Sequence, residues 1–257
     1  MMRDLRSLAR AGRNTFVIVA LLLLYVGQTI SAEINVAVAS NFSKAVKEIS
    51  DRFEAQSGHE IILIFGSTGK HYAQIINGAP YDVFLAADTL RPKLLEQEGL
   101  AIPGSRFTYA IGKLMLWSPT SGYVDPEGHV LQQQQFRHLA IANPKLAPYG
   151  KAAQQVLQAI GLWQRFQDRI VLGENIGQAF HFVNSGNAEL GFIALAQIMH
   201  SETGIKGSVW HIPQALYEPV RQQAVLLRQN NAALMFMEFL KRPSVQKIIE
   251  DFGYAIP

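Results

Sequence analysis

The 257-residue chain contains no cysteine. That absence excludes disulfides, thiolate metal sites, thiol catalysis and a lipid-anchored amino-terminal cysteine. Net charge is also missing from most of the chain. The formal charge of +3 comes wholly from residues 1–32, where Arg3, Arg6, Arg10 and Arg13 face only Asp4, and the rest balances 19 basic against 19 acidic side chains. No basic cluster with interleaved aromatics occurs there, so nucleic acid is set aside as a partner. After residue 32 there is no apolar run of membrane length, no short-period repeat and no low-complexity tract.

Catalytic signatures are equally scarce. Gly66-Ser67-Thr68-Gly69 is not a nucleophile elbow, because that motif needs glycine where Phe65 stands. No Walker loop or dinucleotide fingerprint is present. The seven histidines are scattered without metal-ligand spacing. Asp82 and Asp88 are the nearest thing to paired acids, yet nothing in the pattern sets them across a common bond. Because no nucleophile, base and orienting group can be named together, the chain reads as a non-enzyme, with a two-lobed hydrolase or transferase as the disfavoured alternative.

What is present begins with a secretory leader. The four arginines precede an uncharged run from Thr15 to Val26, whose apolar core is shorter than the roughly 20 residues of a bilayer-spanning helix. Cleavage is expected near Ala32, leaving an exported protein free in solution.

Strand and helix patterns then alternate. Ile34–Ala39 reads as a strand, and the helix after Ser40-Asn41 presents Ala45, Val46, Ile49 and Phe53 on one face. Ile61–Phe65 is a strand, Gly66 to Gly69 a turn, and Lys70–Ile76 a helix stopped by Asn77-Gly78. Asp82–Ala86 precedes a helix over Pro92–Glu98. Phe107–Ser118 is a β-rich stretch interrupted by Gly112 that leaves one sheet for another. In the second series, Leu139–Ala142, Ile170–Leu172, Leu190–Ile193 and Val209–His211 are strands, while Gly150–Ile160 and Ile176–Val183 are helices. Phe180 and Phe182 read as core. Gln222–Leu227 carries the chain back, and helices over Ala232–Leu240 and Ser244–Asp251 complete the first lobe. Such alternation implies βαβ units in an α/β protein with two lobes and two extended crossings. Residues 33–112 and 222–257 would form one lobe, and residues 113–221 the other. A cleft between them, at the carboxyl ends of strands, is where such folds take small ligands.

Four strand-to-helix junctions hold small or flexible residues: Ser40-Asn41, Gly66 to Gly69, Ala147 to Gly150 and Glu174 to Gly177. A helix start leaves its first N–H groups unpaired and carries roughly half a positive charge, so it binds anions without Lys or Arg. The hydroxyls of Ser40, Ser67 and Tyr149 are further candidate donors. The plainer reading is that Ser, Thr and Asn cap their own helices. A tetrahedral dianion without protons needs donors only, whereas hydrogen phosphate also wants an acceptor. Glu174 and Asp88 stand near the junctions; the first is expected to point outward, the second to cap the following helix.

Five stretches carry a family resemblance: Val36 to Phe42, Phe65 to Gly69, Gly78 to Phe84, Ala142 to Gly150 and Gly173 to Ile176. In these, nearly the whole mature chain resembles the periplasmic molybdate-binding proteins of ABC transporters. The resemblance implies a type II periplasmic binding fold, each lobe a mixed sheet flanked by helices, joined by two crossover strands. It implies capture of molybdate, and of tungstate, for a membrane permease by a periplasmic monomer with no cofactor. The oxyanion would be held by Ser40, Asn41 and Ser67 from one lobe and by Tyr149 and the backbone of Ile176 from the other, with no metal-coordinating side chain. One departure is Ala194, where many members carry a ligand-contacting tyrosine; Tyr149 looks like the substitute. Selectivity would come from cavity size, since sulfate makes the same donor demands. A receptor for sulfate or another tetrahedral oxyanion is therefore the alternative, and a binding protein that signals to a membrane sensor is a third.

Overall fold

The computed structural model describes residues 31–199 and 206–257. The leader expected at residues 1–32 falls, except for its last two residues, outside the described residues. Among the described residues no helix is long and apolar enough to cross a membrane.

Two five-stranded mixed sheets organise the described residues. The first contains β1 (Glu33–Ala39), β2 (Glu60–Gly66), β3 (Val83–Ala86), β4 (Phe107–Gly112) and β10 (Val220–Leu226) in the order β2-β1-β3-β10-β4. The second contains β5 (Leu114–Ser118), β6 (Leu139–Ala142), β7 (Ile170–Gly173), β8 (Leu190–Ala194) and β9 (Ser208–His211) in the order β7-β6-β8-β5-β9. The parallel trio β2-β1-β3 has its counterpart in β7-β6-β8. Each trio is extended by a strand that has just crossed from the other sheet: β10 pairs antiparallel with β3, and β5 with β8. The crossings between β4 and β5 and between β9 and β10 thus join two lobes of the same plan.

Helices cover both sheets: α1 (Ser43–Ser57), α2 (Thr68–Ile76), α3 (Leu90–Gln97), α8 (Asn231–Leu240) and α9 (Pro243–Asp251) in the first lobe, and α4 (Val130–Gln133), α5 (Pro148–Ala159), α6 (Ile176–Asn184) and α7 (Ala196–Met199) in the second. Period-3.6 patterning selects their inner faces, and Ala45, Val46, Ile49 and Phe53 of α1 are all buried. Burial of each large apolar side chain contributes about 1.5–3 kcal/mol. β3 and β6 are buried along their whole length, as strands covered on both faces must be. In the second lobe Leu116, Leu139 and Phe192 pack with Tyr149, Val156 and Phe166. Phe180 stacks on Trp117 with ring centroids 5.3 Å apart, and Phe182 packs on the same cluster.

Helix starts depart from the pattern-based boundaries in an informative way. α2 begins at Thr68, two residues before the expected Lys70, because extended Ser67 is its cap and the glycine-flanked turn is already helical. α5 begins at Pro148 instead of Gly150; proline at the first helical position has the required φ and lacks only an amide that would be unpaired. α3 starts at Leu90 instead of Pro92; Thr89 stands at its N-cap, and Asp88 Oδ1, one residue earlier, accepts the first-turn amide of Arg91 at 3.0 Å. β10 begins at Val220, two residues ahead of the expected Gln222.

Candidate functional site

The carboxyl ends of β1, β2 and β3 from one sheet and β6 and β7 from the other face a common space. Around it lie Ser40, Asn41, Ser67, Tyr149 and Ile176, with Gly66, Thr68, Ala147, Pro148 and Asn175 among their neighbours. The space is narrow and partly open to solvent. None of the described residues lining it is charged.

Each polar group arrives there for a local reason. Ser67 is extended (φ −83°, ψ 149°), and its Oγ accepts from the Lys70 amide at 3.3 Å. Asn175 caps α6 in the same way, its Oδ1 accepting from the Gln178 amide at 3.0 Å. The capping reading is therefore correct for both residues. It does not exhaust Ser67, because a hydroxyl that accepts one bond keeps its proton to donate. Ser40 caps no helix. It opens a 3-10 turn, Ser40–Phe42, and its Oγ accepts from the Gly177 amide of the opposite lobe at 3.2 Å. Ile176 is the first residue of α6 and Tyr149 the second of α5, so their amides lack intrahelical acceptors. Starts of three helices, α2, α5 and α6, converge with the 3-10 turn, each α-helix start carrying roughly half a positive charge.

Two side chains turn away from the space. The Tyr149 hydroxyl, a candidate donor to the space, is turned toward the hinge formed where the chain crosses between the lobes, at the end of β4 and in β10. It lies 3.3 Å from Gln222 Nε2 and against Gly112. The Asn41 carboxamide likewise points inward, donating to Gln222 Oε1 at 2.8 Å and to Tyr254 Oη at 3.1 Å. What Tyr149 and Asn41 leave for the space is backbone. Burial pushes the Tyr149 and Tyr109 phenols well above their ordinary range, so both are neutral.

The acids stay outside. Glu174 points outward, both its oxygens 3.1 Å from Lys70 Nζ of the other lobe. Asp88 pairs with the Arg91 guanidinium. Asp82 stands apart at the start of β3, where its Oδ2 accepts the Asn35 amide at 2.8 Å. The histidines call for one correction. His129 comes together with Asp125 and Glu127 on a loop of the second lobe, a grouping that sequence spacing did not suggest. Asp125 is occupied there, accepting amides of Glu127, His129 and Val130 at 3.1, 2.9 and 2.8 Å.

Further cross-lobe bonds surround the space: Gly69 N–H to the Leu146 carbonyl at 2.8 Å, Lys44 Nζ to the Gln197 carbonyl at 2.7 Å, and Arg91 Nη2 to the Lys145 carbonyl at 3.2 Å. The Gln197 side chain also links Ala194 to Ile176. Its Oε1 accepts the Ala194 amide at 2.9 Å, and its Nε2 donates to the Ile176 carbonyl at 3.1 Å, which fixes the peptide plane at the start of α6. Beneath Gly66, His71 is buried between Gln74 Oε1 and the Val38 carbonyl, each 3.1 Å from a ring nitrogen. Burial holds its pKa below the ordinary histidine value. Lys44, His71, Gln197 and Gln222 were not singled out from sequence. Of these, only the polar pair Gln222-Gln223, next to the apolar run Ala224–Leu226, offered a signal.

Comparison with known proteins places this arrangement. Residues 34–255 match the family model of bacterial extracellular solute-binding proteins. The chain is 50% identical over 229 residues to the molybdate-binding protein ModA of Azotobacter vinelandii, covering 88% of this chain and 91% of that one. It is 44% identical over 249 residues to ModA of Rhodobacter capsulatus, covering 96% of each. The solved periplasmic molybdate-binding protein of A. vinelandii superimposes with a TM-score of 0.85, covering 87% of this chain and 99% of that chain at 46% identity.

Proposed function

Since the chain belongs to the bacterial extracellular solute-binding proteins, and to the molybdate-binding branch that its relatives define, we propose that it captures molybdate between its lobes and delivers it to the permease of an ABC transporter. Tungstate, with the same shape and charge, is bound as well. The protein acts in the periplasm, after removal of the leader, as a binding protein and not as an enzyme.

The observation that carries this reading is the cavity lining: donors from both lobes and no charged group. In water-poor surroundings a carboxylate beside a dianion is strongly repelled, while a full positive charge is not required when several amides and hydroxyls share the load. The anion is held by the hydroxyls of Ser40 and Ser67 and by backbone N–H groups at Asn41, Tyr149 and Ile176. Such a set offers donors and no carboxylate acceptor, which suits molybdate and tungstate and disfavours hydrogen phosphate. Sulfate meets the same donors but is smaller, so its hydrogen bonds in a cage set for the larger ion are stretched and weak.

Closure follows from the same geometry. Bonds such as Gly69 to Leu146 and Ser40 to Gly177 exist only with the lobes together, and an anion bridging both sets of donors favours that state by its differential affinity. A thermal-shift panel of oxyanions tests the reading. Molybdate and tungstate raise the midpoint by mass action, sulfate and phosphate far less; no shift with molybdate refutes it.

A further inference from the structure

Gln222 is wholly buried in β10, at the register shift between Gln222 and Gln223 where this strand pairs with β4. Its carboxamide has partners on both lobes, and their donor and acceptor roles are forced in sequence. The Asn41 carbonyl can only accept, and the Tyr254 hydroxyl donates to it at 2.8 Å. Tyr254 Oη must then accept from Asn41, which presents Nδ2 to it at 3.1 Å. The same Nδ2 donates to Gln222 at 2.8 Å, so Gln222 presents Oε1 to Asn41 and to the Tyr109 hydroxyl, 3.1 Å away. Its Nε2 is left to face Tyr149 Oη at 3.3 Å, across the hinge. A flipped amide would turn a donor on donors.

Gly112, at the end of the other hinge strand, leaves the passage for this contact. A Cβ there would stand 1.9 Å from Tyr149 Oη and 2.7 Å from Gln222 Nε2.

We propose that Gln222 is a positioning residue that couples the lobes: its carboxamide ties Asn41 of the first lobe to Tyr149 of the second at the hinge, and so aligns the two sets of anion donors. This rests on the anion-binding reading above, since Asn41 and Tyr149 lend their backbone amides to the site. Within a buried network, loss of one partner leaves the others unsatisfied, and the effect reaches whatever they hold.

The experiment compares wild type, Tyr149→Phe, Gln222→Ala and the double variant by titration calorimetry with molybdate, alongside the thermal midpoint without anion. Tyr149→Phe, which removes one hydroxyl, is expected to weaken binding about 2- to 10-fold, and Gln222→Ala roughly 10- to 100-fold. The double variant is expected to lose less than the product of the two, because they break a shared link. A residue with a merely structural role would lower the anion-free midpoint and leave affinity alone. If wild type binds molybdate and Tyr149→Phe binds it equally well, the coupling is overturned, even should Gln222→Ala fail to fold. A wild-type protein silent to molybdate overturns the anion reading and this inference with it.

Discussion

The Oγ of Ser40, just past the end of β1, accepts a hydrogen bond of 3.2 Å from the backbone N–H of Gly177 at the start of α6. One hydroxyl thereby serves two purposes. Its lone pair ties the lobes together, and its proton remains available to an anion between them. Ser67 is placed similarly, its lone pair spent on the Lys70 amide within its own helix start. The two serines therefore differ in what else is lost when they are removed.

Ser40→Ala and Ser67→Ala are each expected to weaken molybdate binding by about 1.5–3 kcal/mol, the range for a hydrogen bond to a charged group. Titration calorimetry measures this. Unchanged affinity in both would mean that the anion lies elsewhere.

Ser67→Asp separates charge from folding. Aspartate is as good an N-cap as serine, so α2 and the thermal midpoint are expected to persist. A carboxylate within reach of a bound dianion opposes it, and molybdate affinity is expected to fall more than a hundredfold, an effect of about 3 kcal/mol or more. Retained affinity in a folded Ser67→Asp protein would contradict a donor-only site.

The strand and helix order was legible because short buried runs such as Val83–Ala86 and Leu139–Ala142 are bounded by capping and turn residues. The start of α2 was misread because Gly69 suggests a turn. Its glycine has a tertiary cause: a Cβ at 69 would lie 2.9 Å from the Leu146 carbonyl oxygen, which the Gly69 amide itself binds. The four-residue helix Ala196–Met199 is too short for a periodic signal. Junction residues were visible as small polar groups after strands. The partners of Lys44 and Gln222 were not, because Lys44 meets Gln197 across 153 residues and Asn41 meets Gln222 across 181. The inward turn of the Tyr149 hydroxyl depends on Gly112, 37 positions away, and no local pattern reports it.

Acidification is expected to destabilise the protein through His71. Its folded pKa lies below the ordinary value, first because of burial, so the unfolded chain binds the proton more readily. The contribution to stability is complete above the unfolded pKa of about 6.5 and is lost as pH falls through the folded value. Thermal midpoints across this range check it. A His71→Gln variant should show a shallower acid limb, and an identical limb would assign the effect to other groups.

Lys70 and Glu174 bridge the lobes at the surface, with side chains 50% and 40% exposed. Solvent screening limits such a pair to about 1 kcal/mol or less. Lys70→Ala is therefore expected to weaken binding by no more than about fivefold, less so at high salt. A larger, salt-independent loss would show that Lys70 acts on the anion itself.

The most direct test of the donor cage is calorimetric titration of the purified protein with molybdate in two buffers of different ionisation enthalpy near pH 7.5. The account predicts saturable one-to-one binding whose heat is the same in both buffers, because a dianion without protons enters a site that neither takes up nor releases one. No binding heat, or a buffer-dependent heat equivalent to about one proton, would contradict it.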